Sequence, residues 1–190
     1  MNTTTNASTA RSDSSDTVNL IVALLDRFPE IASLRVRPAD ATVELTFAIR
    51  GGLKVRERTS AIETIGAHLD AYLALTGGVS ALTDVTAEAA GAFGFLHVVR
   101  DVASLDRQEL VVLVTLLRER FGERLVRGAP ADDLSDEDTL MRDELAEHAI
   151  EAIRDPARRK SLVGFREERR VLVYVMKHRK TKRGRASINE

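Results

Sequence analysis

The sequence predicts an α+β protein built from helix-hairpin units in the order αββ-αββ-α-αββ, with antiparallel strands packed against helices. Two observations predict it. Apolar residues recur at the helical period of 3.6 in four segments and at the strand period of 2 in six. The strands come as adjacent pairs separated by turn residues, not singly between helices as in a doubly wound parallel sheet. A helix followed by two strands thus occurs three times, without residue-level similarity among the three.

The ordered part opens with a helix behind the cap Asp16, because Leu20, Ile21, Leu24, Leu25 and Phe28 form one stripe, and Pro29 stops it. A hairpin follows. Leu34 and Val36 alternate with arginines, Pro38 and Asp40 supply turn chemistry, and Val43, Leu45, Phe47 and Ile49 share one face, leaving Thr42, Glu44 and Thr46 for a face toward water. Gly51-Gly52 allows a third short strand at Leu53 and Val55, with a helix from Lys54 as the competing reading. The spacing Ser60-x-x-Glu63 favours a helix start at Ser60. Its stripe is Ile62, Ile65, Leu69, Tyr72 and Leu73, and Gly77-Gly78 closes it.

Two strands are expected around Leu82 to Ala89 and Phe93 to Val99, and Phe95 to Val99 is apolar on both faces apart from His97, which suggests an interior strand. Asp106 and Glu109 open the next helix, with Leu110, Val114, Leu117, Phe121 and Leu125 on its stripe and Val112 and Leu116 on its back. A helix lying on a sheet needs only one apolar face, so this second face must meet another helix or another subunit. After a polar link, a fourth helix carries Met141, Leu145, Ala149 and Ala152 along its stripe to Ile153. The strands Ser161 to Phe165 and Val171 to Met176 end the pattern, and Val171-Leu172-Val173-Tyr174-Val175 reads as covered on both sides. The organisation is a polar leader over 1–16, an α+β body over 17–131, an acidic linker over 132–139, a C-terminal helix and hairpin over 140–177 and a basic tail over 178–190.

The 190 residues include no cysteine, which excludes thiolate catalysis, disulfides and Cys-based zinc sites. The leader lacks the apolar core of a secretory signal and contains Asp13 and Asp16, which a transit peptide avoids, so a cytoplasmic location is expected. No apolar run is long enough to span a bilayer. Phosphate-loop, dinucleotide, HExxH, GxSxG and calcium-loop patterns are all missing, and no cofactor is implied. Gly91-x-x-Gly94 has the spacing of a phosphate-clamping turn, but Ala92 and Phe93 at its centre suit a hairpin turn. Asp132 to Asp138 lacks the alternating ligands of a calcium site and reads as an acidic linker capping the fourth helix.

Three features carry functional expectations. Glu144, His148 and Glu151 fall along one side of the fourth helix, placing an imidazole between carboxylates; without the Glu-x-x-His spacing of di-iron sites, a solvated acidic face is the expected reading and no metal is assigned. Val112 and Leu116 are the candidates for self-association as a homo-oligomer. The strongest signal is the tail, where Lys177, Arg179, Lys180, Lys182, Arg183 and Arg185 place six permanent positive charges in nine residues, suited to RNA or DNA backbones through counterion release. Arg158, Arg159, Lys160, Arg166, Arg169 and Arg170 extend it into a patch, while the tail itself has no aromatic residue for base stacking.

The near-zero net charge of −1 is a cancellation: residues 132–155 carry two basic and ten acidic groups, residues 156–189 twelve basic and two acidic. The expectation is a non-catalytic protein that contacts nucleic acid or ribonucleoprotein through its tail without strong sequence preference. Its alternatives are a protein-interaction module with the tail incidental, and an enzyme of unfamiliar mechanism built on His97 or the Glu144/His148/Glu151 stripe.

Overall fold

A computed structural model describes residues 18–80, 82–128, 135–155, 157, 160–167 and 170–176. The leader 1–16, the tail residues Lys177, Arg179, Lys180, Lys182, Arg183 and Arg185, part of the acidic linker, and Arg158, Arg159 and Arg169 lie outside the described residues. Helix α1 (18–27) leads into β1 (Ile31–Arg37) and β2 (Thr42–Arg50). Then come α2 (Val55–Thr76), β3 (Thr83–Ala90), β4 (Phe93–Asp101), α3 (Arg107–Phe121), α4 (Asp136–Ile153), β5 (Ser161–Glu167) and β6 (Arg170–Met176). The order is αββ-αββ-α-αββ, and the class is α+β.

All six strands join one antiparallel sheet in the order β3-β4-β2-β1-β5-β6. The C-terminal hairpin thus extends the sheet of the preceding body, β5 pairing with β1. Alternation sends Leu34, Val36, Val43, Leu45, Phe47, Ile49, Leu96, Val98 and Leu162 to one face, where they share a core with the helices. The predicted α1 stripe, Leu20, Ile21, Leu24, Leu25 and Phe28, is buried throughout. At about 1.5–3 kcal/mol for each fully buried side chain of this size, that face secures the helix.

Two strand glycines set how closely helices approach. A Cβ at Gly164 would strike Ile21 of α1, and one at Gly94 would strike Leu53, the buried residue entering α2. The β1–β2 turn runs through a short 3-10 segment, Pro38–Asp40, and closes with Ala41 in the left-handed region at φ 50°.

Three local expectations change and one, the hairpin turn at Gly91, holds. Helix α2 starts at Val55 with Lys54 as N-cap, so no third strand forms at Leu53 and Val55, and Ser60 is inside the helix. Leu53 packs over Gly94 instead, and the helix, the competing reading at Lys54, follows directly. Gly91 and Ala92 are the β3–β4 turn, and Gly94 lies within β4, so the Gly91-x-x-Gly94 spacing is a hairpin turn. In α4 the buried side is Ala146, Ala149, Ile150 and Ile153, whereas Met141 and Leu145 are exposed. The capping pair Ser135/Asp138 fixes where the helix begins. Finally, β6 is an edge strand with Tyr174, Val175 and Met176 exposed, not a strand covered on both sides.

A buried polar network ties α3 to the sheet. Arg100 of β4 is fully buried, its Nε and Nη2 donating to Glu109 at 2.5 and 2.9 Å, with Nη1 donating to the Leu82 carbonyl at 2.7 Å and to Ser80. Asp101 beside it accepts from the Ser80 and Ser104 hydroxyls at 2.6 and 2.7 Å and from the Leu82 and Ser104 amides. Burial alone would raise the Asp101 pKa, but these four hydrogen bonds together hold it well below the usual carboxylate range. Asp106 caps α3 by accepting from the Glu109 amide at 2.7 Å and also accepts from Tyr72 of α2 at 2.9 Å. Burial and that hydrogen bond push the Tyr72 phenol up to about 12.

Candidate binding face of the sheet

The helices cover one face of the sheet, so alternation turns the other set of strand residues toward the opposite, uncovered face. Register pairs align its residues in rows across the strands. One row runs Thr86, His97, Thr46, Ser33, Phe165 and Leu172; the next runs Asp84, Val99, Glu44, Arg35, Val163 and Tyr174. At the centre, Glu44 is met by Arg35 at 3.3 Å, by Arg37, and by His97 Nδ1 at 3.6 Å. His97 Nε2 stands 3.6 Å from Glu88, and its Nδ1 meets the Thr46 hydroxyl at 3.2 Å. Two arginines and an imidazole thus converge on one half-buried carboxylate. The carboxylates stand beyond hydrogen-bond range of His97 on an open surface, which is the geometry of a surface ion cluster rather than of a proton-transfer pair.

Aromatic rings flank this centre on both sides. Phe165 and Tyr174 stack on the β5–β6 hairpin with centroids 5.5 Å apart and planes 3° from parallel. Phe93 and Phe95 lie 6.4 Å apart on β4. Tyr174 is 51% exposed and Phe93 40%. The stacked pair escaped the sequence reading because Phe165 and Tyr174 become neighbours only once the hairpin register is known: Phe165 pairs with Leu172, and Val163 with Tyr174. The usable signal was residue parity on the two sides of the polar run Arg166-Glu167-Glu168-Arg169.

The expected basic patch is redistributed. Arg166 faces the helix side, where it donates to the Leu25 carbonyl and where Gly128 leaves room for it; burial pushes its pKa down. It leaves the patch because odd-numbered residues of β5 face outward. Arg170 is exposed at the start of β6. Met176 pairs with Ser161 at the end of the sheet where Arg37 lies.

The other predicted residues are not brought together. Glu144, His148 and Glu151 are all exposed on α4, and among the described residues no group of His, Asp and Glu is arranged to hold a metal ion. Leu116 packs against the core and Val112 is half-buried, on a helix whose neighbours include α2 and α4. No described helix is long and apolar enough to cross a membrane. The chain matches no protein-family model, and no curated protein or solved structure shows significant similarity to it.

Proposed function

We propose that the protein is a non-catalytic binding module for single-stranded nucleic acid or ribonucleoprotein, without strong sequence preference. The observation that carries the reading is the stacked, half-exposed Phe165–Tyr174 pair on the open sheet face, three residues ahead of the basic run from Lys177 to Arg185. A basic run alone does not choose among polyanions, because its affinity comes from charge density. Rings beside it favour bases, which stack on aromatic side chains at about 1–3 kcal/mol each, whatever their sequence. Since Glu44 occupies Arg35 and Arg37, phosphate contact falls to the tail.

The chain has two tyrosines and no tryptophan, which makes the test direct. Tyr72→Phe leaves Tyr174 as the sole ultraviolet fluorophore of its kind, and titration with oligo-uridine at low salt should quench it. Tyr174→Ala should weaken binding by about 5- to 150-fold, the range corresponding to one stacked base. Full-length protein that ignores both RNA and DNA at low salt would overturn the reading. So would binding unaffected by Tyr174→Ala, which would leave the sheet with no part in it.

A further inference from the structure

We propose that Arg50, Lys54 and Arg56, with the ring of Phe93 beside them, form a second station for the same single strand, at the corner of the sheet diagonally opposite Met176. The inference rests on the reading of the open face as a nucleic-acid platform, and it names the far end of the path a strand takes across that face.

The chain from the end of β2 into α2, Arg50-Gly51-Gly52-Leu53-Lys54-Val55-Arg56-Glu57-Arg58, holds four cations and one acid. Arg124 takes up that acid. It meets Glu57 at 2.6 Å and donates to the carbonyls of Arg50 and Gly52 at 3.1 and 2.7 Å. Arg50, Lys54 and Arg56 are exposed, and none of the three has an ion-pair partner among the described residues. Arg35 and Arg37, by contrast, are held by Glu44.

Hydrogen bonds pin this cationic turn to an aromatic ring. The amides of Gly51 and Gly52 both donate to the Ala92 carbonyl, at 2.9 and 3.1 Å. Arg50 is the cross-strand partner of Phe93, so their side chains leave the same face side by side. Phe93 is 40% exposed. On β3, Glu88 lies across from Phe95 and stands 3.6 Å from His97. Cations alone suit any polyanion, whereas an open ring among them favours one that carries bases.

The two stations are well separated. Phe93 is four residues along β4 from His97, which shares a row with Phe165, and β4 and β5 are three strand positions apart. At about 3.4 Å per residue and 4.8 Å per strand, Phe93 and Phe165 stand about 20 Å apart. A trinucleotide reaches one station, and a strand of twelve nucleotides reaches both.

Binding of fluorescein-labelled oligo-uridines of three and twelve nucleotides by the full chain is followed by anisotropy at low salt. The variant Arg50→Gln/Lys54→Gln/Arg56→Gln, changed only at exposed positions, should bind the 12-mer at least tenfold more weakly and the trimer within twofold of the wild type. Its slope of log K against log salt for the 12-mer should be shallower by about 2, the share of three cations on a single strand. Phe93→Ala should weaken the 12-mer at least fivefold, and Tyr174→Ala should weaken both lengths. Wild-type affinity for the 12-mer in the triple variant overturns this station and leaves that of Tyr174 standing. Equal losses for trimer and 12-mer overturn it too. So does a triple variant that loses the 12-mer while Phe93→Ala does not, which reduces the corner to a general anion patch.

Discussion

Replacing Arg100 by methionine should be among the most damaging single substitutions in this chain. The side chain is fully buried and anchors Glu109, itself only 1% exposed, at 2.5 and 2.9 Å. Methionine fills most of the volume but leaves the Glu109 carboxylate buried without its counter-charge, and the Leu82 carbonyl loses a donor. Removing one partner of a buried ion pair costs about 3–5 kcal/mol. For a chain of this size, about 2–4 °C per kcal/mol, the melting temperature should fall by roughly 6–20 °C. Urea denaturation followed by far-ultraviolet circular dichroism measures the loss at neutral pH. The double variant Arg100→Met/Glu109→Leu removes both charges and should recover most of it, since Asp101 keeps its Ser80 and Ser104 donors. A loss under about 1 kcal/mol in the single variant, or a double variant no better than the single, would refute the role assigned to the network.

Two further outcomes follow from the same packing. Gly94→Ala should cost about 1–3 kcal/mol, because the new methyl group meets Leu53 near its Cβ and Cγ and α2 must move; an unchanged urea midpoint would count against the close approach. Asp101 governs acid sensitivity. Its folded pKa lies below the unfolded value of about 3.9, so its stabilisation is complete above that value and is lost as pH falls through the folded one. Stability measured between about pH 5 and pH 2 should decline less steeply in Asp101→Asn than in the wild type, and parallel acid limbs would contradict the assignment.

The helix-hairpin order was legible because each element buries one face, so the switch between periods of 2 and 3.6 is written into the apolar residues. Legibility failed where burial depends on neighbours distant in sequence. The run Val171 to Val175 reads identically in an interior strand and at an edge; only the place of β5 beside β1 makes β6 the edge. Arg100 sits at the end of an apolar strand and reads as a charge emerging into water, until Glu109 arrives from α3 to hold it inside. In α4 the apolar positions are broad enough for two stripes, and contact with the core selects Ala146, Ile150 and Ile153 over Met141 and Leu145. The proposed binding face was half legible. The basic run stands in the sequence, whereas the ring pair beside it exists only through the β5–β6 register.

The most direct test of the proposed function is the salt dependence of oligo-uridine binding by the wild type and by a variant with Lys177, Arg179, Lys180, Lys182, Arg183 and Arg185 all changed to glutamine. Each cation that neutralises a phosphate of a single strand contributes about −0.7 to the slope of log K against log salt, so six should contribute about −4. The variant should lose nearly all of this slope while retaining the wild-type urea midpoint. A variant that binds with the wild-type slope would contradict it.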